Sequence, residues 1–295
     1  MYVFRMALST LVGTLALSQM ALAAPPPPPA ALASPVPVTT PSALPAAAAS
    51  TQPAPVVVPL TDAEQKDPAA GLAAVKRTIG GDAWSKFGSV YITGVAQVQN
   101  QALAFTYAAD LRTGFNRMIV LLPHNAGTYE YGVDKNGGWS ASGGFIRPFN
   151  APAAAVKTSM YVNRLGFLNP ADSAALKEVG VDPKLGDRII VTPAGGAQVL
   201  VLIKPATSLI SAVQYANGQL DIYADYRRVQ GVLYPYRMMQ GTTPQNLSVF
   251  QATKVEFGSQ AADPVSVNRP SLPVATPAPQ TKSAVTPAPR PTHKP

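Results

Sequence analysis

Between residues 90 and 257, apolar residues alternate with smaller or polar ones, and this period of two is typical of β-strands that bury one face. Short stretches rich in glycine and asparagine, such as residues 134–138 and Asn217-Gly218, favour tight turns between them. Because tight turns join antiparallel neighbours, the chain is predicted to form one antiparallel, strongly curved sheet. The eleven predicted strands cover residues 90–95, 103–109, 115–122, 129–133, a stretch that opens at Trp139, 188–192, 198–203, 209–215, 220–229, 232–239 and 247–257.

Three helices are predicted to pack over one face of this sheet. The first begins at the N-cap Asp67 and ends before Gly80. The second covers residues 151–168, where apolar residues recur near helical spacing. The third is predicted over residues 169–180, because a cap, a first-turn proline and an acid precede it and a glycine follows it. The predicted fold class is therefore α+β, and mostly β.

Low-complexity segments rich in proline flank the patterned part of the chain. The sequence predicts a signal peptide (1–23), a disordered Pro/Ala-rich linker (24–60), one folded domain (61–262) and a disordered, basic, Pro-rich tail (263–295). Arg5, an apolar stretch and an Ala21-Leu22-Ala23 cleavage site make up the signal peptide. An uncleaved membrane anchor is the alternative, but this stretch is shorter than the roughly 20 apolar residues that span a bilayer. The mature protein is expected in the periplasm of a Gram-negative envelope, without a transmembrane span.

The ionisable residues argue against an enzyme. The chain has no cysteine and two histidines, of which His124 alone lies in the predicted domain. A histidine/cysteine metal site is therefore excluded, and no cofactor is expected. Asp221 and Asp225 fall on one face of a predicted strand, where such a pair is more often a solvated edge than a catalytic dyad. The net charge of +8 comes without a dense basic stripe, which argues against nucleic acid as a partner.

Four local phrases follow one another along the predicted domain. They are residues 80–84 (Gly-Gly-Asp-Ala-Trp), 109–114 (Ala-Asp-Leu-Arg-Thr-Gly), 132–139 (Gly-Val-Asp-Lys-Asn-Gly-Gly-Trp) and 225–235, which run from Asp-Tyr-Arg-Arg-Val-Gln-Gly to Leu-Tyr-Pro. In this order they resemble the LolA/LolB-like superfamily of envelope carrier proteins, and especially the LolA-like domain that precedes retroviral-type aspartyl proteases. The tail contains no Asp-Thr-Gly or Asp-Ser-Gly, so no protease is expected. The resemblance implies an unclosed β-barrel of about 11 strands, with a helical lid over a concave face that holds acyl chains or another apolar group.

Aromatic residues on adjacent predicted strands, together with the helix over residues 151–168, are candidates for a ligand cavity. The leading hypothesis is a non-enzymatic periplasmic protein that binds a lipid or another hydrophobic small molecule. The alternative is a non-catalytic interaction module that docks an envelope protein or the cell wall through its surface and Pro-rich tails. An apolar void beneath the helix over residues 151–168 would distinguish the two. The predicted cavity lining is Phe105, Tyr131, Trp139, Phe145, Met160, Tyr161 and Phe167, with Arg227 and Arg237 at the rim to meet anionic head groups.

Overall fold

The computed structural model describes residues 57–98, 101–168, 173–182, 186–243 and 246–273. The predicted signal peptide, most of the predicted linker and residues 274–295 of the predicted tail lie outside the described residues.

One antiparallel sheet dominates the described part of the chain, and its thirteen strands include all eleven that the sequence predicts. Their spatial order is β6-β5-β4-β3-β2-β1-β13-β12-β11-β10-β9-β8-β7, so the sheet is open, with β6 and β7 at its edges. The strands are β1 (Ser89–Val98), β2 (Gln101–Asp110), β3 (Asn116–Leu121), β4 (Thr128–Asp134), β5 (Gly137–Ser142), β6 (Phe145–Pro148), β7 (Ser173–Asp182), β8 (Gly186–Pro193), β9 (Val199–Lys204), β10 (Leu209–Tyr215), β11 (Leu220–Val229), β12 (Val232–Gly241) and β13 (Ser248–Gly258).

Four α-helices are present in the described residues: α1 (Asp62–Lys66), α2 (Pro68–Ile79), α3 (Ala153–Asn163) and α4 (Pro264–Val267). The predicted boundaries of α2 are confirmed. The Asp67 carboxylate accepts a hydrogen bond from the Ala69 N–H at 2.9 Å, and Gly80 ends the helix with a φ of 138°. Within the second predicted helix, residues 151–168, the chain forms α3 and then a 3-10 helix, Gly166–Leu168.

The sheet consists of two meanders, β1–β6 and β7–β13, which are joined by the pairing of β1 with β13. The link between β6 and β7 therefore joins strands at opposite ends of the sheet order, and α3 lies in this link. Helix α3 packs against β4, β5 and β8. β5 and β8 stand ten strand spacings apart in the order, about 48 Å in a flat sheet, whereas a helix of 11 residues is only about 16 Å long. The sheet must therefore curl around α3, which makes α3 a lid over the concave face.

Residues 173–182 form strand β7, so the prediction of a third helix over residues 169–180 is wrong. In the ladder with β8, Leu176 lies opposite Val191. Leu176 also packs against the main core, while its neighbour Lys177 is exposed. Without β7, the apolar strand β8 would form the edge of the sheet. Backbone pairing and the burial of Leu176 therefore outweigh the local helix signals, whose first residues, 169–172, lie outside the described chain.

The packed region extends beyond the predicted domain boundaries of 61 and 262. Leu60 is buried, and its N–H donates to the Pro205 carbonyl at 2.7 Å. At the other end, residues 263–273, hereafter the C-terminal strap, contact β2, β3, β4 and β6 of the first meander. Val267 of the strap is buried beside Ala108, and the Ile146 N–H donates to the Pro273 carbonyl at 2.9 Å. A few apolar anchors suffice to hold a proline-rich segment such as the strap against a sheet.

A buried ion pair fastens the C-terminal strap to the turn between β4 and β5. The Asp134 side chain is only 2% exposed and accepts hydrogen bonds from the Arg269 Nε at 2.6 Å and Nη2 at 2.7 Å. Its Oδ1 also accepts the Asn136 N–H at 2.8 Å, which closes the predicted hairpin turn. Burial alone would raise the pKa of Asp134, but the hydrogen bonds from Arg269 and Asn136 lower it on balance. Asp134 is therefore held as a charged partner of Arg269.

Within the described residues, no helix has both the length and the apolar character that crossing a membrane requires.

Candidate functional site: the cavity beneath helix α3

A cavity of about 310 Å³ lies between α3 and the concave face of the sheet. Its volume falls at the lower end of the range of about 300–1,000 Å³ that is common for ligand pockets. The helical wall includes Ala155, Val156, Ser159, Val162 and Phe167. The sheet wall includes Phe105, Met118, Tyr131, Tyr234, Met238 and Phe250.

Strand periodicity explains how the sheet supplies an apolar wall. Side chains two residues apart point to the same face of a strand, and Tyr234, Tyr236, Met238 and Gln240 of β12 all line the cavity. Phe105 on β2 meets Phe250 on β13 edge to face, with ring centroids 5.6 Å apart. The wall is therefore built by adjacent strands from both meanders, and it forms only once β13 pairs with β1.

One carboxyl group, that of Asp221, lies in this apolar cavity. Its side chain is buried, with a residue exposure of 4%, and its Oδ1 accepts hydrogen bonds from the Gln219 Nε2 at 3.1 Å and the Gln240 Nε2 at 3.0 Å. Burial raises the pKa of Asp221, although the hydrogen bonds from Gln219 and Gln240 and the interaction with the Tyr215 hydroxyl act in the opposite direction. The group is therefore held in the cavity by partners suited to a carboxylate, but with little solvent to stabilise the charge.

Four tyrosines, Tyr107, Tyr131, Tyr215 and Tyr223, line the same cavity as Asp221. Burial raises the pKa of Tyr107 to about 12, and it raises the pKa of Tyr131, Tyr215 and Tyr223 as well. The charge of Asp221 adds to the increase at all four, which places their hydroxyls within its electrostatic reach. These phenols are neutral at physiological pH. Among the described residues that line the cavity there is no lysine, arginine or histidine.

The raised pKa of Asp221 predicts a specific pH dependence of stability. Between its ordinary value of 3.8 and its value in the folded protein, the folded state binds a proton that the unfolded state has lost. The contribution of Asp221 is therefore fully present below pH 3.8 and is lost as the pH rises through the folded pKa. We expect Asp221→Asn to keep the hydrogen bonds and to remove this pH dependence. The free energy of unfolding at pH 7 minus that at pH 3.5 should therefore be larger in Asp221→Asn than in the wild-type protein, by on the order of 1 kcal/mol. Urea unfolding of both proteins at the two pH values measures this, and an unchanged difference would contradict it.

Three of the seven predicted lining residues lie in the cavity wall: Phe105, Tyr131 and Phe167. The other four do not. Trp139 is fully buried on the opposite face of β5 with Ala141 and Ile146, and Phe145 on the edge strand β6 is 48% exposed. Tyr161, a residue of α3, is buried in the main core, and Met160 is half-buried outside the cavity. The sequence indicates that these residues lie on adjacent elements, but it does not show which face of each element turns inward.

The two predicted rim arginines do not line the cavity either. Arg227 donates to both carboxylate oxygens of Asp225, at 3.0 and 2.8 Å, and its guanidinium lies 4.6 Å from the ring centroid of Tyr236. Tyr236 itself is a lining residue, so Arg227 stands near the cavity but is engaged with its own strand. Arg237 is exposed.

The polar cluster around Asp221 is the part of the site that the sequence did not predict. Asp225 has a left-handed backbone with a φ of 54°, which interrupts the alternation along β11, so that Tyr223 and Tyr226 both line the cavity. Asp221 turns inward, whereas Asp225 is exposed, and the prediction that the two share a solvated edge is wrong for Asp221. Gln219 and Gln240 were the signal in the sequence for this cluster. The pairing of β11 with β12 across a hairpin places Gln240 opposite Asp221, and Gln219 is two residues from Asp221 along the chain.

The described residues contain no group of three or more histidine, cysteine or acidic side chains that could hold a metal ion. His124 is exposed in a 3-10 turn, Pro123–Asn125, with a φ of 56°. The fold and the cavity together define an open, helix-lidded antiparallel sheet with an apolar interior site.

No protein-family model matches the chain, and no curated protein matches it significantly. Among solved structures, it is similar to a DUF1329 family protein from Desulfovibrio piger, at 10% identity and a TM-score of 0.44, covering 68% of this chain and 97% of that one. A LolA superfamily protein from Nitrosomonas europaea is similar at 8% identity and a TM-score of 0.44, with the same coverage. The complex of MucA and MucB from Pseudomonas aeruginosa is similar at 13% identity and a TM-score of 0.23, covering 72% and 64%. The similar solved structures thus include a member of the LolA superfamily, which the local phrases of the sequence resemble. Similarities this distant carry no argument about function.

Proposed function

We propose that this protein is a periplasmic, non-catalytic binding protein that holds a hydrophobic small molecule or lipid in the cavity beneath α3. One observation carries the proposal: an apolar cavity of about 310 Å³ lies inside the fold, between the lid helix and the concave face of the sheet. Burial of each methylene contributes on the order of 0.8 kcal/mol, so an acyl chain could be held without any catalytic group. The predicted signal peptide supports delivery to the periplasm.

The position of α3 supports ligand entry at the lid. The helix lies in the only described connection between the two meanders and contacts strands of both. It is followed by Leu165, a non-glycine residue with a left-handed φ of 55°. A helix on such a link can shift relative to the sheet without breaking a strand pairing, and the cavity beneath it would then open.

The proposal is tested by filling the cavity from the helix side. Ala155 faces the cavity from α3, so Ala155→Phe places a ring in the space that a ligand would occupy. We expect the affinity for an apolar fluorescent probe, N-phenyl-1-naphthylamine, to fall by about tenfold or more. The matched control is Ala153→Phe, which adds the same ring at an exposed position of the same helix and should leave the affinity unchanged.

Lipid mass spectrometry of the protein purified from a bacterial periplasm supplies an independent measurement. We expect a stoichiometric apolar ligand in the wild-type protein and in Ala153→Phe. Ala155→Phe should carry none. A wild-type protein that carries no ligand and does not bind the probe would disprove the proposal.

A further inference from the structure

The charges that line the cavity constrain the head group of any ligand that it holds. An anionic head, such as a fatty-acid carboxylate, would be taken out of water next to Asp221, and no described lining residue could neutralise it. A plain hydrocarbon would leave the buried carboxyl as poorly solvated as it is in the free protein. Only a ligand with a cationic or hydrogen-bond-donating head would compensate the burial of Asp221.

We propose that the cavity binds an amphipathic molecule whose head is a protonated amine, and that Asp221 and the tyrosine rings around it form the site for the ammonium group. The proposal rests on the binding function proposed above and specifies its ligand class. An ammonium group carries three N–H donors and no acceptor, which matches a site whose central group accepts hydrogen bonds.

The hydrogen bonds around Asp221 already hold its carboxyl in place for such a head. The amide groups of Gln219, directly before β11, and Gln240, on the neighbouring strand β12, both donate to Oδ1. The glutamine nitrogens are donors and cannot accept a hydrogen bond from an ammonium, so the negatively charged acceptor that they hold in place for the cation is the carboxylate of Asp221. The carboxyl therefore needs no rearrangement to receive the head, and preorganisation of this kind favours binding.

The tyrosines supply the second part of the site. Tyr107, Tyr131, Tyr215 and Tyr223 come from four different strands, and all lie within electrostatic reach of Asp221. The face of a tyrosine ring attracts cations, and the attraction is strongest when both groups are shielded from water. Because these phenols are neutral, the site can present one negative charge at most, which balances one ammonium.

Binding of the amine releases a proton from Asp221. In the free protein, burial favours the protonated form of Asp221. An ammonium head favours the carboxylate, so the acidic proton leaves to solvent as the ligand enters. The affinity for the amine should therefore rise with pH through the titration of Asp221. The remaining titratable groups described around it are the four tyrosines, which do not titrate in this range.

The test compares three ligands with one chain length and different heads: dodecylamine, 1-dodecanol and dodecanoate, each below its critical micelle concentration. Affinities are measured with the mature full-length protein by displacement of N-phenyl-1-naphthylamine. We expect dodecylamine to bind about tenfold more tightly than dodecanol, and dodecanoate to bind most weakly. In Asp221→Asn, the ratio of amine to alcohol affinity should fall to about one. The matched control, Asp225→Asn, neutralises an exposed acid of the same strand and should keep the wild-type ratio.

The outcomes separate the two proposals. Dodecanoate binding as tightly as dodecylamine, or an amine preference that survives Asp221→Asn, would overturn the amine site and leave the cavity as an apolar binding site. Absence of binding by all three ligands and by the probe would overturn both.

Discussion

Replacing Arg269 by alanine should destabilise the protein by about 3–5 kcal/mol, the cost of leaving one member of a buried ion pair without its partner. The carboxylate of Asp134 would stay buried under the C-terminal strap and lose two short hydrogen bonds. Detachment of the strap would relieve the buried charge instead, but it would remove Val267 from a small core and expose apolar surface. Urea unfolding at pH 7 measures the effect. Lys254→Ala is the control, since Lys254 and its partner Glu256 are both more than half exposed and such pairs contribute at most about 1 kcal/mol.

Two further measurements would show that the loss comes from the buried charge. Adding Asp134→Asn to Arg269→Ala should recover part of the stability, because no unpaired charge is then buried. The cost of Arg269→Ala should also shrink at acid pH. The pKa of Asp134 is lowered in the folded protein, so its contribution is present above pH 3.8 and is lost as the pH falls through the folded value. Equal costs for Arg269→Ala and Lys254→Ala at pH 7 would show that the strap is not held by this pair.

The second large effect is expected at Trp139, where substitution by alanine should cost about 3–5 kcal/mol in the free energy of unfolding. Its side chain is fully buried with Ala141 and Ile146, so its removal leaves a cavity that small neighbours cannot fill. Phe145→Ala is the matched control: this aromatic residue lies on the adjacent strand but is 48% exposed, so its loss should cost under about 1 kcal/mol.

The indole nitrogen of Trp139 makes the prediction more specific. Its N–H is buried and has no hydrogen-bond partner among the described residues. Trp139→Phe removes this donor and keeps most of the ring volume, so it should cost much less than Trp139→Ala. Neither variant should weaken probe binding by the folded protein, because Trp139 faces away from the ligand cavity. A loss of probe affinity in Trp139→Phe would show that our assignment of its face is wrong.

The strands in the middle of the sheet were predictable from the sequence because one face of each is buried. Burial on one side produces a period of two over six or more residues, as in β2 and β13, and glycine or asparagine marks the turns between them. The edges of the sheet were not predictable in this way. β6 has four residues, too few to show a period, and the sequence before β7 carries capping signals for a helix, although residues 173–182 pair with β8 instead.

The candidate site was predictable only in outline. The sequence indicated the helix over the sheet and a set of aromatic residues on adjacent strands, and the structure places Phe105, Tyr131 and Phe167 of that set in the cavity wall. The sequence could not show which face of β5 turns inward, and the placement of Trp139 depends on that face. Nor could it show that Asp221 is buried, since an acid on a predicted strand is usually solvated.

The sequence by itself therefore determined the class of fold: an antiparallel sheet of short strands with a helix across it, since periodicity and turn residues act between neighbours along the chain. Tertiary structure alone decided how far the sheet curls, which side chains enter the cavity, and that a single carboxyl is enclosed there. These features depend on contacts between residues far apart in sequence, such as β1 with β13, α3 with both meanders and Asp134 with Arg269. Such contacts form only when the whole sheet is assembled, and no local pattern records them.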